Sequence, residues 1–123
     1  MNLKNNLYTV IAHEANGYTV RMNPASVIYA AHFPGQPITP GVCIVQMVTE
    51  LAEDALGCPL ATQELLSVKF LSMLTPDNGT NVQCILDLQP STSHLKPPTF
   101  QVKALVRNDE TTFAKLSLSC KKK

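Results

Sequence analysis

The sequence predicts an α+β fold: an antiparallel sheet of about five to six strands wrapped around one central helix. Two observations predict it. Runs rich in β-branched, aromatic and alternating apolar residues occupy most of the chain on both sides of a single interruption. Within that interruption, Val42, Val45, Met47, Val48, Leu51, Ala52, Ala55 and Leu56 recur at helical intervals of three and four residues. Apolar positions cover more than half of this helix, as expected of a helix enclosed by a curved sheet.

The elements follow in order. Leu7 to Glu14 reads as a strand, and Asn16-Gly17 favours the tight turn of a hairpin. Tyr18 to Met22 is the returning strand, stopped by Asn23-Pro24. Pro24 to Pro40 is a long connection with prolines at 24, 34, 37 and 40. Connections longer than about 12–15 residues are usually functional or disordered. Val27, Ile28, Tyr29 and Phe33 make this one a packed segment. The helix spans Val42 to Leu56, with Glu53 and Asp54 on its wet side and Gly57 as its C-terminal cap, Pro59 just beyond. Thr39 and Gly41 precede it, which leaves the first backbone N–H groups open to a ligand. Leu65 to Leu74 is the next strand. Thr75 to Gly79 is a turn, and Thr80 to Leu88 carries Val82, Cys84, Leu86 and Leu88 on one face. After a polar loop, Gln89 to Pro98, the last two strands are Thr99 to Arg107 and Thr111 to Cys120, joined around Asn108-Asp109-Glu110.

With 123 residues the chain fits one domain, 1–123. Tryptophan is absent, so aliphatic side chains must fill the core. A formal net charge of +1 gives no field for nucleic acid. Lys121, Lys122 and Lys123 read as a short solvated basic tail, or as a contact for an acidic partner. No leader and no membrane span are recognisable, so a soluble cytoplasmic chain is expected. Cys43, Cys58, Cys84 and Cys120 form no metal-ligand spacing and read as small apolar thiols. His13 and His94 lie in no motif and read as structural.

The chemistry concentrates in His32-Phe33-Pro34-Gly35-Gln36-Pro37-Ile38-Thr39-Pro40-Gly41. This Pro/Gly-rich loop presents one histidine and runs directly into the helix. Together with Asn23-Pro24, Val68-Lys69-Phe70 and Pro76 to Gly79, it resembles the β-hydroxyacyl-acyl-carrier-protein dehydratases, over roughly Tyr8 to Cys120. The resemblance implies the hot-dog fold, and loss of water from a 3-hydroxyacyl thioester to give a trans-2-enoyl thioester. It implies His32 as the base that takes the proton α to the carbonyl. The N–H groups of Gly41 and Val42 would hold the carbonyl oxygen at the positive end of the helix, with Phe33 and Val45 against the substrate. It further implies an acyl-carrier-protein partner, a homodimer or a trimer of dimers with the site at a subunit interface, and no metal or organic cofactor.

The helix departs from that pattern. The family has an acid fourteen residues after the histidine, where this chain has Gln46, and Glu50 lies one turn later. Glutamine cannot ionise, so Gln46 can orient a hydroxyl but cannot be a general acid. Residues four apart share a helix face, so Glu50 reads either as the substitute acid or as a carboxylate without chemistry. Three functions remain open on the sequence: a dehydratase using His32 with Gln46 or Glu50, a catalytically weak acyl-binding subunit of a heteromeric dehydratase, and a thioesterase using Glu50.

Overall fold

The computed structural model of the protein describes residues 2–32, 35–91 and 98–123. Phe33 and His94 therefore lie outside the described residues. The elements are β1 (Tyr8–Glu14), β2 (Gly17–Met22), α1 (Val27–Ala31), α2 (Gly41–Leu56), β3 (Leu60–Phe70), β4 (Val82–Pro90), β5 (Thr99–Arg107) and β6 (Thr112–Lys122). The six strands form one sheet in the order β1-β2-β4-β5-β6-β3, antiparallel at every step. After β2 the chain leaves the sheet and passes through both helices. It re-enters at the far edge as β3, and then crosses to β4 beside β2. The long helix therefore lies across one face of the sheet.

Alternation decides which face that is. Val82, Cys84 and Leu86 on β4, Val102, Ala104 and Val106 on β5, and Leu116, Leu118 and Cys120 on β6 are buried. They share one core with Ile44, Met47, Val48, Leu51 and Ala52 of α2. Gly57, at φ 69°, ends α2 in the left-handed conformation a glycine cap provides, its N–H bonded to the Glu53 carbonyl. No helix among the described residues is long and apolar enough to cross a membrane.

Four expectations are corrected. The connection after β2 contains a short helix, α1, whose five residues are too few to show a helical period. Ser26 caps it by accepting from the Ile28 N–H. The buried stripe of α2 begins at Cys43 and Ile44, whereas Val42 is 69% exposed and faces away from the core. β3 starts five residues early, at Leu60, and ends at Phe70. Two irregularities, between Thr62 and Glu64 and between Leu65 and Ser67, break the period-2 pattern that would have marked it. Finally, Lys121 and Lys122 are not a free tail: they close β6, paired with Ala61 and Leu60.

Candidate functional site

Thr39 anchors the end of the histidine loop through its side chain and its backbone. The buried hydroxyls of Tyr29 on α1 and Thr39 before α2 are 2.8 Å apart, and the Thr39 N–H donates to the Leu74 carbonyl. This ties the end of α1 to the start of α2. His32 is the C-cap of α1. Its backbone N–H donates to the Ile28 carbonyl, while its exposed imidazole has no hydrogen-bond partner among the described residues. The ring nitrogens of an imidazole so placed are open to a ligand.

The start of α2 is equally open. Pro40 is its N-cap and supplies no side-chain hydrogen bond, and the first turn has no acid. Among the described residues the Gly41 and Val42 N–H groups are unbonded, so two donors stand at the positive helix end. The ring of Phe70 lies against Gly41, only 2.7 Å from where a β-carbon would sit, so no larger residue fits unless that ring moves. Beside it lies an apolar groove of about 370 Å³, walled by Ile38, Thr39, Gly41, Ile44 and Phe70 to Leu74.

Further along α2, Gln46, Glu50 and Asp54 stand one turn apart in a line. The Gln46 Nε2 donates to Glu50 Oε2 at 2.9 Å. The same carboxylate accepts from the Leu3 N–H at 2.8 Å, the Lys4 N–H at 2.9 Å and the Tyr8 hydroxyl at 2.9 Å. Asp54 accepts from the Tyr18 hydroxyl at 2.5 Å, and Glu53 from the Leu60 N–H at 2.8 Å. These carboxylates seam the helix to the N-terminal segment, the first hairpin and β3. Before Glu50 could act as an acid on a substrate, it would have to release some of these donors. Gln46 and Glu50 also line a polar groove of about 590 Å³ with Asn2, Lys4, Leu60 to Thr62 and Lys123.

Two expected outcomes follow from the seam. Tyr8 is fully buried, so Tyr8→Phe leaves Glu50 one donor short, and thermal or urea unfolding should show a loss of about 1.5–3 kcal/mol. Burial first, and then the adjoining carboxylates, hold both tyrosine hydroxyls well above the ordinary value of 10.0. Above about pH 10 the folded state therefore keeps protons that the unfolded chain releases. The contribution of these two tyrosines is fully present below pH 10 and falls as pH rises, by about 1.4 kcal/mol per unit per tyrosine. Urea titrations between pH 8 and 11.5 read this slope, and Tyr8→Phe with Tyr18→Phe should make it shallower, the remainder coming from Tyr29, Cys43, Cys84 and Cys120, which burial also raises.

The chain brings Gln46 and Glu50 together, and it brings Gly41 to the apolar groove. His32 lines neither groove, and Val42 and Val45 flank them without lining either. Phe33 lies outside the described residues. Burial raises the Cys43 thiol, which suits a core residue and not a nucleophile, and pushes Cys84 up to about 12. Tyr8, Tyr29 and Phe70 are site-supporting residues that sequence reasoning missed. Tyr8 acts on Glu50 and Phe70 on Gly41, both far away in the chain, and Tyr29 acts on Thr39 ten positions on; no local spacing signals any of these.

Comparison with known proteins follows the same lines. A family model described as ApeI-like, ApeI dehydratase, matches residues 11–115. The chain belongs to the ApeI-like dehydratase family. No relative is found among curated proteins. Among solved structures, this ApeI-like chain is similar to the dehydratase heterocomplex ApeI:P from Xenorhabdus doucetiae, with 19% identity, a TM-score of 0.64 and coverage of 94% of this chain and 98% of that one. It is also similar to a conserved protein from Pseudomonas aeruginosa, with 13% identity, a TM-score of 0.64 and coverage of 98% and 92%. An uncharacterized protein from Erwinia carotovora follows, with 18% identity, a TM-score of 0.56 and coverage of 94% and 92%. At these identities the likeness is one of fold, and the fold is the hot-dog.

Proposed function

We propose that this ApeI-like chain dehydrates a 3-hydroxyacyl thioester carried by an acyl carrier protein, in a site completed by two copies of the chain. The observation that carries the reading is the unpartnered His32 imidazole, tied through Tyr29 and Thr39 to a helix start with two unbonded N–H donors. His32 removes the proton at C2. The thioester oxygen takes up the enolate charge and is held by the Gly41 and Val42 N–H groups. The C3–O bond then breaks, and the proton that His32 has taken leaves with the hydroxyl as water. Gln46 hydrogen-bonds the departing hydroxyl, and Glu50 is the positioning residue that fixes the Gln46 amide.

The two-copy arrangement rests on β3. It is the last strand of the sheet, with one side unpaired, and among its exposed side chains are the apolar Leu65 at 56%, Leu66 at 47% and Phe70 at 51%, followed by Met73 at 67%. Such an edge is a template for pairing, and two-fold antiparallel pairing with itself closes it. That pairing sets the start of one β3, which walls the Gln46–Glu50 groove, against the end of the other, which walls the Gly41 groove. His32 of one copy would then serve Gln46 of the other.

A second reading has its own support. Gln46 cannot ionise and Glu50 is bonded by four donors, which suits a catalytically weak acyl-binding subunit paired with a complete partner. Purified protein incubated with 3-hydroxyacyl carrier-protein thioester, followed by intact mass, tests the choice. The dehydratase reading predicts loss of water from the substrate, reduced at least about 10²-fold in His32→Ala. A silent protein that only accelerates a complete partner subunit would favour the second reading. Free thiol release dependent on Glu50 would instead make it a thioesterase.

A further inference from the structure

The sheet face turned away from α2 has a composition that folding does not require. Ile85 on β4, Leu105 on β5, Lys115 on β6 and Lys69 on β3 are direct cross-strand partners in turn, forming one row across four strands. Their neighbours Leu86, Ala104 and Leu116 point into the core, so this row points out. Lys103 stands one pair along, opposite Ser117 on β6 and Asp87 on β4. Lys69 and Lys115 thus face each other directly, and like charges so placed are destabilising. Among the described residues none of the three lysines has an ion pair or hydrogen bond, and Asp87 takes the Gln89 amide instead. Beside them, Ile85 is 36% exposed, and a shallow groove of about 260 Å³ runs along Ile85, Ala104 and Leu105 between Lys103 and Lys115.

We propose that this outer face, the Lys69–Lys115–Lys103 cluster with Leu105 and Ile85, docks the acidic carrier protein that presents the acyl thioester. The proposal rests on the function proposed above. Charge complementarity selects the occupant: carboxylates relieve the repulsion among the lysines, and an aliphatic side chain covers Leu105 and Ile85. A nonspecific anionic surface fits less well, because Asp87 stands within the patch. The position also suits delivery. Lys69 immediately precedes Phe70, whose ring lies on Gly41, so the docking face adjoins the strand end that leads to the apolar groove.

The test is a titration of the ¹⁵N-labelled full chain with unacylated holo carrier protein. Expected are amide shifts at the outward residues of β3, β6 and β5, and binding that weakens with salt. Binding should weaken about 10-fold or more in Lys69→Glu with Lys115→Glu. That double variant should turn over the 3-hydroxyacyl thioester of N-acetylcysteamine at the unaltered rate, since the small substrate needs no docking. Binding that is indifferent to the charge reversal would overturn the proposal. So would shifts confined to the Gln46–Glu50 groove and Lys121–Lys123, or no carrier binding by a protein that turns over the small thioester. Self-association through the same residues would assign the face to a second copy. If the unaltered chain leaves the small thioester intact, the dehydratase reading fails while the titration still decides the docking face.

Discussion

Replacing Gln46 by glutamate should raise the dehydration rate about 10²- to 10⁴-fold, the usual contribution of one general acid. The reason lies in the Gln46 amide, 2.9 Å from Glu50. A carboxyl at that position would share a hydrogen bond with Glu50, and two carboxylates so close cannot both ionise. Glu50 already accepts from the Leu3 and Lys4 N–H groups and the Tyr8 hydroxyl, donors that the new carboxyl would lack. The shared proton therefore resides on the new carboxyl, whose pKa is raised. A group protonated near neutral pH can deliver a proton to the leaving hydroxyl, which Gln46 cannot. The sign of the pH effect follows: the gain is present below the raised pKa and is lost as pH rises through it. Initial rates of enoyl-thioester formation between pH 6 and 10 should show an alkaline limb in Gln46→Glu that the unaltered protein lacks. Equal rates for both proteins would mean that Gln46 does not face the substrate hydroxyl.

Leu65→Glu should separate the protein into single folded chains and abolish dehydration with them. Leu65 is half exposed on the open edge strand, so a charge there costs an isolated chain little. In a paired edge the same charge is buried without a partner, at about 3–5 kcal/mol, enough to weaken association by 10²-fold or more. Sedimentation should show dimer for the unaltered chain and monomer for the variant, with matching circular dichroism spectra. A monomeric variant that keeps full activity would place the whole site within one chain.

Much of the fold was legible because the informative signals are local. Asn16-Gly17 marks the hairpin, the spacing from Val45 to Leu56 marks the helix, and Val82, Cys84 and Leu86 mark the core face of β4. The failures are equally physical. β3 was read late, as Leu65 to Leu74, because its two irregularities destroy alternation, and Val42 was counted with the apolar positions of the enclosed helix because one apolar residue at a helix start does not fix the phase. For the candidate site, sequence pointed to His32, Gln46 and Glu50, yet not to the groups that hold the Glu50 carboxylate. Its partners Leu3, Lys4 and Tyr8 lie more than forty positions away and contribute mainly backbone N–H groups, which every residue possesses.

The central claim is that His32 of one copy works with the residue at position 46 of another. It is tested most directly by mixing the unaltered protein with a double variant, His32→Ala with Gln46→Glu, under exchange. The double variant has no base, and the unaltered protein has no helix acid. In a mixed pair, one site joins an intact His32 to the introduced carboxyl, so about a quarter of all sites become fast in an equal mixture. The account predicts a mixture rate at least about 10-fold above the sum of its parts. A mixture no faster than its unaltered share, from a Gln46→Glu protein that is itself fast, would contradict it and put both residues in one chain.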